Sequence, residues 1–198
     1  MTRPLFAAAL FTAMLSVAGA APEQETGATL PKDSGAAHYF ANLKLTDQNG
    51  RRVDLSQDLM KGKVVAINSF FASCQGSCPM MSKTFQSVQE KLGDRIGRDV
   101  FLISITVDPA NDTQAALKKY AAEWKARPGW LFLTGSKEEV AAALAKFGLA
   151  AEQRETHKNL ILVGNDRTGL WKKLFGLARA DQISASIESV ADDRGAAE

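Results

Sequence analysis

Hydrophobic positions along the chain alternate between short apolar runs and stretches with helical spacing. Val64 to Phe71 is a nearly continuous apolar run of the kind found in a strand buried on both faces. Phe85, Val88, Gln89 and Leu92 then give one apolar-leaning helical face, with Pro79 in the first turn, where proline is tolerated. Val100 to Val107 predicts a strand ended by Asp108-Pro109. Asp112-Thr113 can cap a helix whose Leu117, Tyr120, Ala121 and Trp124 fall at i, i+3, i+4 and i+7. Trp130 to Leu133 predicts another strand. Ser136-x-x-Glu139 is a capping box, followed by the stripe Val140, Leu144, Phe147 and a stop at Gly148. Leu160 to Val163 and Leu170 to Leu174 predict two strands joined by a turn at Asp166–Gly169, and Ile183, Ile187 and Val190 mark a last helix. Ahead of all this, Leu43 and Leu45, an Asn49-Gly50 turn, then Val53 and Leu55 predict a β-hairpin. This order predicts an α/β fold: a central mixed sheet flanked by helices, with an N-terminal β-hairpin.

The ends read differently. Arg3, an apolar run from Leu5 to Val17 and the small-residue pattern Ala18-Gly19-Ala20 have the layout of a cleaved signal peptide over residues 1–20. That run is short of the roughly 20 residues a spanning helix needs, so the expected mature chain has no membrane span and is periplasmic. Residues 21–37, rich in Gly, Ala and Pro, read as a linker, 38–192 as one domain and 193–198 as a tail. The net charge of +2 is spread over scattered Lys and Arg, which leaves no electrostatic footprint for nucleic acid.

Cys74 and Cys78 are the only cysteines. In an exported chain they first suggest a structural disulfide. The closed loop would be very short, however, and short loops contribute least to stability. A reactive or metal-binding pair fits better. The cysteines lie between a central strand and the start of a helix, where the helix N-terminus favours thiolates. Residues four apart in a helical first turn are spaced for either a disulfide or a chelated metal.

The segment Phe70-Phe71-Ala72-Ser73-Cys74-Gln75-Gly76-Ser77-Cys78-Pro79 resembles the signature of the Sco/SenC family, copper chaperones of cytochrome oxidase assembly. Ser104-Ile105-Thr106-Val107-Asp108-Pro109-Ala110-Asn111-Asp112-Thr113 is similar to the family's V-D-P-x-x-D-T segment, and Thr156-His157 to its ligand-histidine segment. The resemblance runs from about residue 40 to 190 and implies a thioredoxin-like fold. Two departures stand out: Thr156 where the family usually has Asp, and no Pro between the cysteines.

The resemblance implies that Cys74, Cys78 and His157 form one metal site and that Cys74 and Cys78 are a redox-active pair. His157 precedes a late strand, where thioredoxins place a cis-proline facing the cysteines. This chain has no proline after Pro128. Two thiolates and an imidazole suit Cu(I), whereas zinc would want a fourth ligand. Met80 and Met81 fall on the following helix, where at least one is expected in the core. Asp108 is either a neighbour of the site or an ordinary turn residue, and His38 is assigned no role. The implied partners are the copper-site subunit of a terminal oxidase, or a similar copper enzyme, and a periplasmic copper donor. The alternative function is a periplasmic thiol-disulfide oxidoreductase or redox sensor, the one enzymatic activity the pair suggests.

Overall fold

The computed structural model describes residues 27–29, 39–151, 153 and 159–195. The signal-peptide reading of residues 1–20 therefore lies outside the described residues. Among the described residues eight strands form one mixed sheet: β1 (Gly27–Thr29), β2 (Lys44–Asp47), β3 (Arg52–Asp54), β4 (Val64–Phe70), β5 (Val100–Thr106), β6 (Trp130–Thr134), β7 (Leu160–Asn165) and β8 (Leu170–Phe175). Their spatial order is β1-β8-β7-β4-β5-β6-β2-β3. Strands β4, β5 and β6 run parallel, and β7 runs antiparallel to β4. The helices are α1 (Ser77–Leu92), α2 (Gln114–Glu123), α3 (Lys137–Lys146) and α4 (Ala180–Ala191).

All seven residues of β4 are buried, because helices cover both faces of the sheet. One core holds Phe85, Val88 and Leu92 of α1, Leu117 and Tyr120 of α2, and Ile183 and Ile187 of α4. The other holds the hairpin, Val140 and Leu144 of α3, and Leu55, Leu59 and Met60 of a π-helical turn, Leu55–Met60. The polar residues inside β4 and β5 are paired. Ser104 Oγ donates to Asn68 Oδ1 at 2.8 Å and accepts Trp130 Nε1–H at 3.2 Å.

One element differs from the sequence expectation. Gly27–Thr29, inside the stretch read as a linker, pairs antiparallel with β8. An edge strand offers unpaired backbone groups to any extended segment, so Gly-Ala-Thr needs no apolar alternation to join it. The cap expected at Asp112-Thr113 is made by Thr113, whose Oγ1 accepts Ala116 N–H at 3.3 Å, while Asp112 serves elsewhere.

The chain leaves β4 towards β5 and β6 on one side, and β7 and β8 occupy the other. This reversal of strand order at β4 makes its carboxyl end the crevice where α/β sheets place their chemistry.

Candidate metal and thiol centre

Residues 71–76 join β4 to α1. A turn closes first, with Cys74 N–H donating to Phe71 O at 3.2 Å. Gly76 is the N-cap, so Cys78 is the second helical residue and Cys74 lies outside the helix. The pair is therefore set by a turn packed against a helix start, not by one helical turn. Neither cysteine is in a disulfide, and Cys74 lies near enough to Cys78 to act on its thiol. Cys74 is half-buried, whereas Cys78 is 2% exposed.

That burial corrects the expectation that both thiols ionise easily. Desolvation first, then the hydrogen bond with Cys74, pushes the Cys78 thiol up to about 12, while the Phe71 backbone pulls the other way. The favourable end of the helix does not outweigh loss of water around a thiolate. Beneath the pair, Ser82 Oγ and Tyr120 OH share a buried hydrogen bond of 2.9 Å. Burial pushes the Tyr120 phenol up to about 12 as well, aided by the charge the cysteines would carry.

Asp112 is 2% exposed and reaches back to the cysteine turn. Ala72 N–H donates to both its carboxylate oxygens, at 3.2 and 3.1 Å, and Thr106 Oγ1–H donates to Oδ2. Thr106 Oγ1 also accepts Asp108 N–H at 2.9 Å. The Asp108 carboxylate accepts the Asn111 side-chain amide at 2.9 Å. Met81 is buried and Met80 is exposed, so the core takes one of the two thioethers. A cleft of about 290 Å³ opens beside the turn, lined by Ala72, Ser73, Asn111, Asp112, Lys119 and Tyr120, among others.

His157, Thr156 and His38 lie outside the described residues. Asn159 is described, and its Oδ1 accepts a hydrogen bond from Ser77 Oγ at 2.9 Å. Because β7 runs antiparallel to β4, it starts at the sheet end that carries the cysteines. Two neighbouring sulfur donors, one of them reachable from solvent, are a chemically sound half of a soft-metal site. Among the described residues no group of three or more His, Cys, Asp and Glu could hold a metal ion.

The sequence reading missed Asp112, Ser77 and Asn159 as contributors to the cysteine turn and its surroundings. Asp112 stood inside a recognised motif, but its position beside Thr113 pointed to a helix cap.

A mixed sheet whose central strand passes through a cysteine turn into a helix defines the thioredoxin-like class of α/β proteins. The family profile described as SCO1/SenC matches residues 31–191, and the chain belongs to that family. It is 35% identical over 130 residues to the SCO1 protein homolog of Bacillus subtilis, covering 61% of this chain and 65% of that one. Among solved structures it resembles Bradyrhizobium japonicum ScoI with copper bound. That match has a TM-score of 0.61 and 26% identity, and it covers 74% of this chain and 96% of the other. It also resembles BsSco, a member of the Sco family of cytochrome c oxidase assembly proteins in which a disulfide switch was identified. Here the TM-score is 0.62 at 29% identity, over 75% of this chain and 90% of the other.

Proposed function

We propose that this chain is an exported copper-binding chaperone. It takes Cu(I) through Cys74, Cys78 and His157, and delivers it to, or reduces the cysteines of, the dinuclear copper centre of a cytochrome oxidase or similar enzyme. The observation that carries this reading is the Ser77–Asn159 hydrogen bond. It ties the start of β7 to the helix turn holding Cys78. His157 comes two residues before Asn159 in the sequence, and this tie supports assigning it to the same site as the cysteines. The copper-bound ScoI structure supports the choice of metal, as does the preference of Cu(I) for thiolate and imidazole.

Each residue then has a task. Cys74, half-buried, is the sulfur a donor or recipient meets first. Cys78 is held inside and must lose a strongly retained proton on metallation, so copper affinity rises with pH. His157 adds the ligand that separates a copper site from a plain dithiol. The reduced, metal-free protein is expected to bind one Cu(I) with two sulfurs and one nitrogen in X-ray absorption. His157→Ala should lose the nitrogen and the copper-dependent rescue of oxidase activity in cells lacking the protein. A sulfur-only spectrum, unchanged in the variant, would remove His157 from the site.

The second reading is a thiol-disulfide reductase or redox sensor, favoured by one observation: two neighbouring cysteines, outside any disulfide, just after β4. It requires the cysteines but not His157, so the same variant separates the two.

We also propose cleavage after Ala20, a linker from 21 to 37 that lends Gly27–Thr29 to the sheet, and a periplasmic mature protein. Among the described residues no helix is long and apolar enough to cross a membrane. Intact mass of the periplasmic protein should begin at Ala21, and recovery of only the full chain in membranes would contradict this.

A further inference from the structure

Every backbone polar group of the dipeptide Phe71-Ala72 for which a bond is described serves the cysteine pair or its anchor. Phe71 C=O accepts Cys74 N–H at 3.2 Å, and the Phe71 backbone also bonds the Cys78 sulfur. That leaves Ala72 N–H, which points into the protein and meets the buried carboxylate of Asp112, 40 positions along the chain. The carboxylate is itself braced. Thr106, the last residue of β5, donates its hydroxyl to Oδ2, and Thr106 is held beside β4 by the parallel ladder that pairs it with Phe70. Val107 N–H then donates to Phe70 O at 2.8 Å, one residue before the turn.

A charged acceptor binds a backbone N–H more strongly than a neutral one. Replacing it inside the protein leaves a buried donor short of a partner. Asp112 is thus a fixed point against which the turn carrying Cys74 is held, while Cys78 is held by the rigid start of α1. The two sulfurs meet because both supports are rigid.

We propose that Asp112 is a positioning residue for the cysteine pair: by clamping Ala72 N–H it holds Cys74 against Cys78 and so raises the effective concentration of one sulfur at the other. Well-oriented groups held on a frame react far more readily than loosely tethered ones, and the same geometry favours closure of the disulfide at equilibrium. The proposal rests on the cysteines being a redox pair, but not on copper or on His157.

The reaction that reads it is oxidation by glutathione disulfide. The Cys74 and Cys78 sulfurs join, two electrons pass to the glutathione disulfide bond, and two glutathione thiols leave carrying the two protons. The equilibrium constant is measured on purified wild-type, Asp112→Asn, Thr106→Val and Leu144→Ala proteins, each with its circular dichroism spectrum and thermal midpoint. Asp112→Asn keeps the shape and removes the charge. It is expected to lower the constant at least tenfold, which for two electrons is about 30 mV towards easier reduction. Thr106→Val removes the brace and should shift it the same way by at least threefold. Leu144 lies in the opposite core; its truncation should lower the thermal midpoint and leave the constant unchanged, which separates positioning from loss of stability.

A folded Asp112→Asn protein with a constant within twofold of wild type overturns the proposal. If Asp112→Asn does not fold, Thr106→Val decides by the same comparison. Failure of the wild-type pair to form the disulfide overturns it as well. Since neither copper nor His157 enters the measurement, a failed copper-binding reading leaves the result standing.

Discussion

Burying a thiol makes stability depend on alkali. Cys78 has an ordinary value of 9.0 in the unfolded chain and about 12 in the fold; Tyr120 has 10.0 and about 12. Below pH 9 both groups are protonated in both states, and the contribution is fully present. As pH rises towards 12 the unfolded chain sheds these protons while the fold retains them, so each pH step favours unfolding. The thermal midpoint should therefore fall steadily between about pH 9 and 12, and Cys78→Ala should flatten the fall. An equally steep fall in the variant would mean that the Cys78 thiol is not so perturbed. At this scale the sequence pointed to the cysteine pair but not to the state of its thiols. The pair was legible from its spacing and motif. The strongly held proton of Cys78 was not, because it comes from burial in a core that gathers residues far apart in the sequence, Tyr120 and Ile183 among them. The bond from Asp112 to the cysteine turn was not legible for a related reason: its partner Ala72 is distant in sequence, whereas the cap expected at Asp112-Thr113 is local and is made by Thr113.

Elements governed by local chemistry followed the hydrophobic pattern closely. Thr113 and Ser136 cap their helices, and the Ser136–Glu139 box has both of its hydrogen bonds, at 2.9 and 3.2 Å. Removing the hydroxyl in Ser136→Ala should cost about 1 kcal/mol, a drop of about 2–4 °C in thermal midpoint for a protein of this size. The cysteine equilibrium should not move, since α3 packs on the face away from the cysteine turn. A shift in both quantities would mean that the two faces are coupled. Elements made by tertiary company were not legible. β1 exists because β8 has a free edge. The π-helical turn at Leu55–Met60 places four buried residues in a segment too short to show helical periodicity. Gly129, at φ +101, could be read only as a strand boundary. In the fold a Cβ there would collide with the backbone of Gly97, so the close crossing at the far end of the sheet requires glycine.

Across the whole molecule the fold class was readable but the strand order was not. Alternation of strands and helices implies a mixed sheet. Whether the hairpin docks on β6 or beside β8 depends on which edge its apolar face can cover, and the Thr46–Thr134 pairing has no local signature. The finished sheet separates the tryptophans. Trp124 and Trp130 lie on the face of α1, α2 and α4, Trp124 with its ring centroid 6.1 Å from that of Tyr120. Trp171 lies on the other face, 5.4 Å from Phe40. Intrinsic emission should therefore be a two-channel signal. Light from Trp124 and Trp130 should change when the cysteines are oxidised or metallated, and light from Trp171 should change only when the chain unfolds. Trp171→Phe should leave the optical response to oxidation intact, whereas Trp124→Phe should remove much of it. If Trp171→Phe abolished the response, the sheet would not insulate one side from the other. With that insulation, a single fluorimeter trace recorded on the two variants distinguishes a change of redox state from a loss of structure.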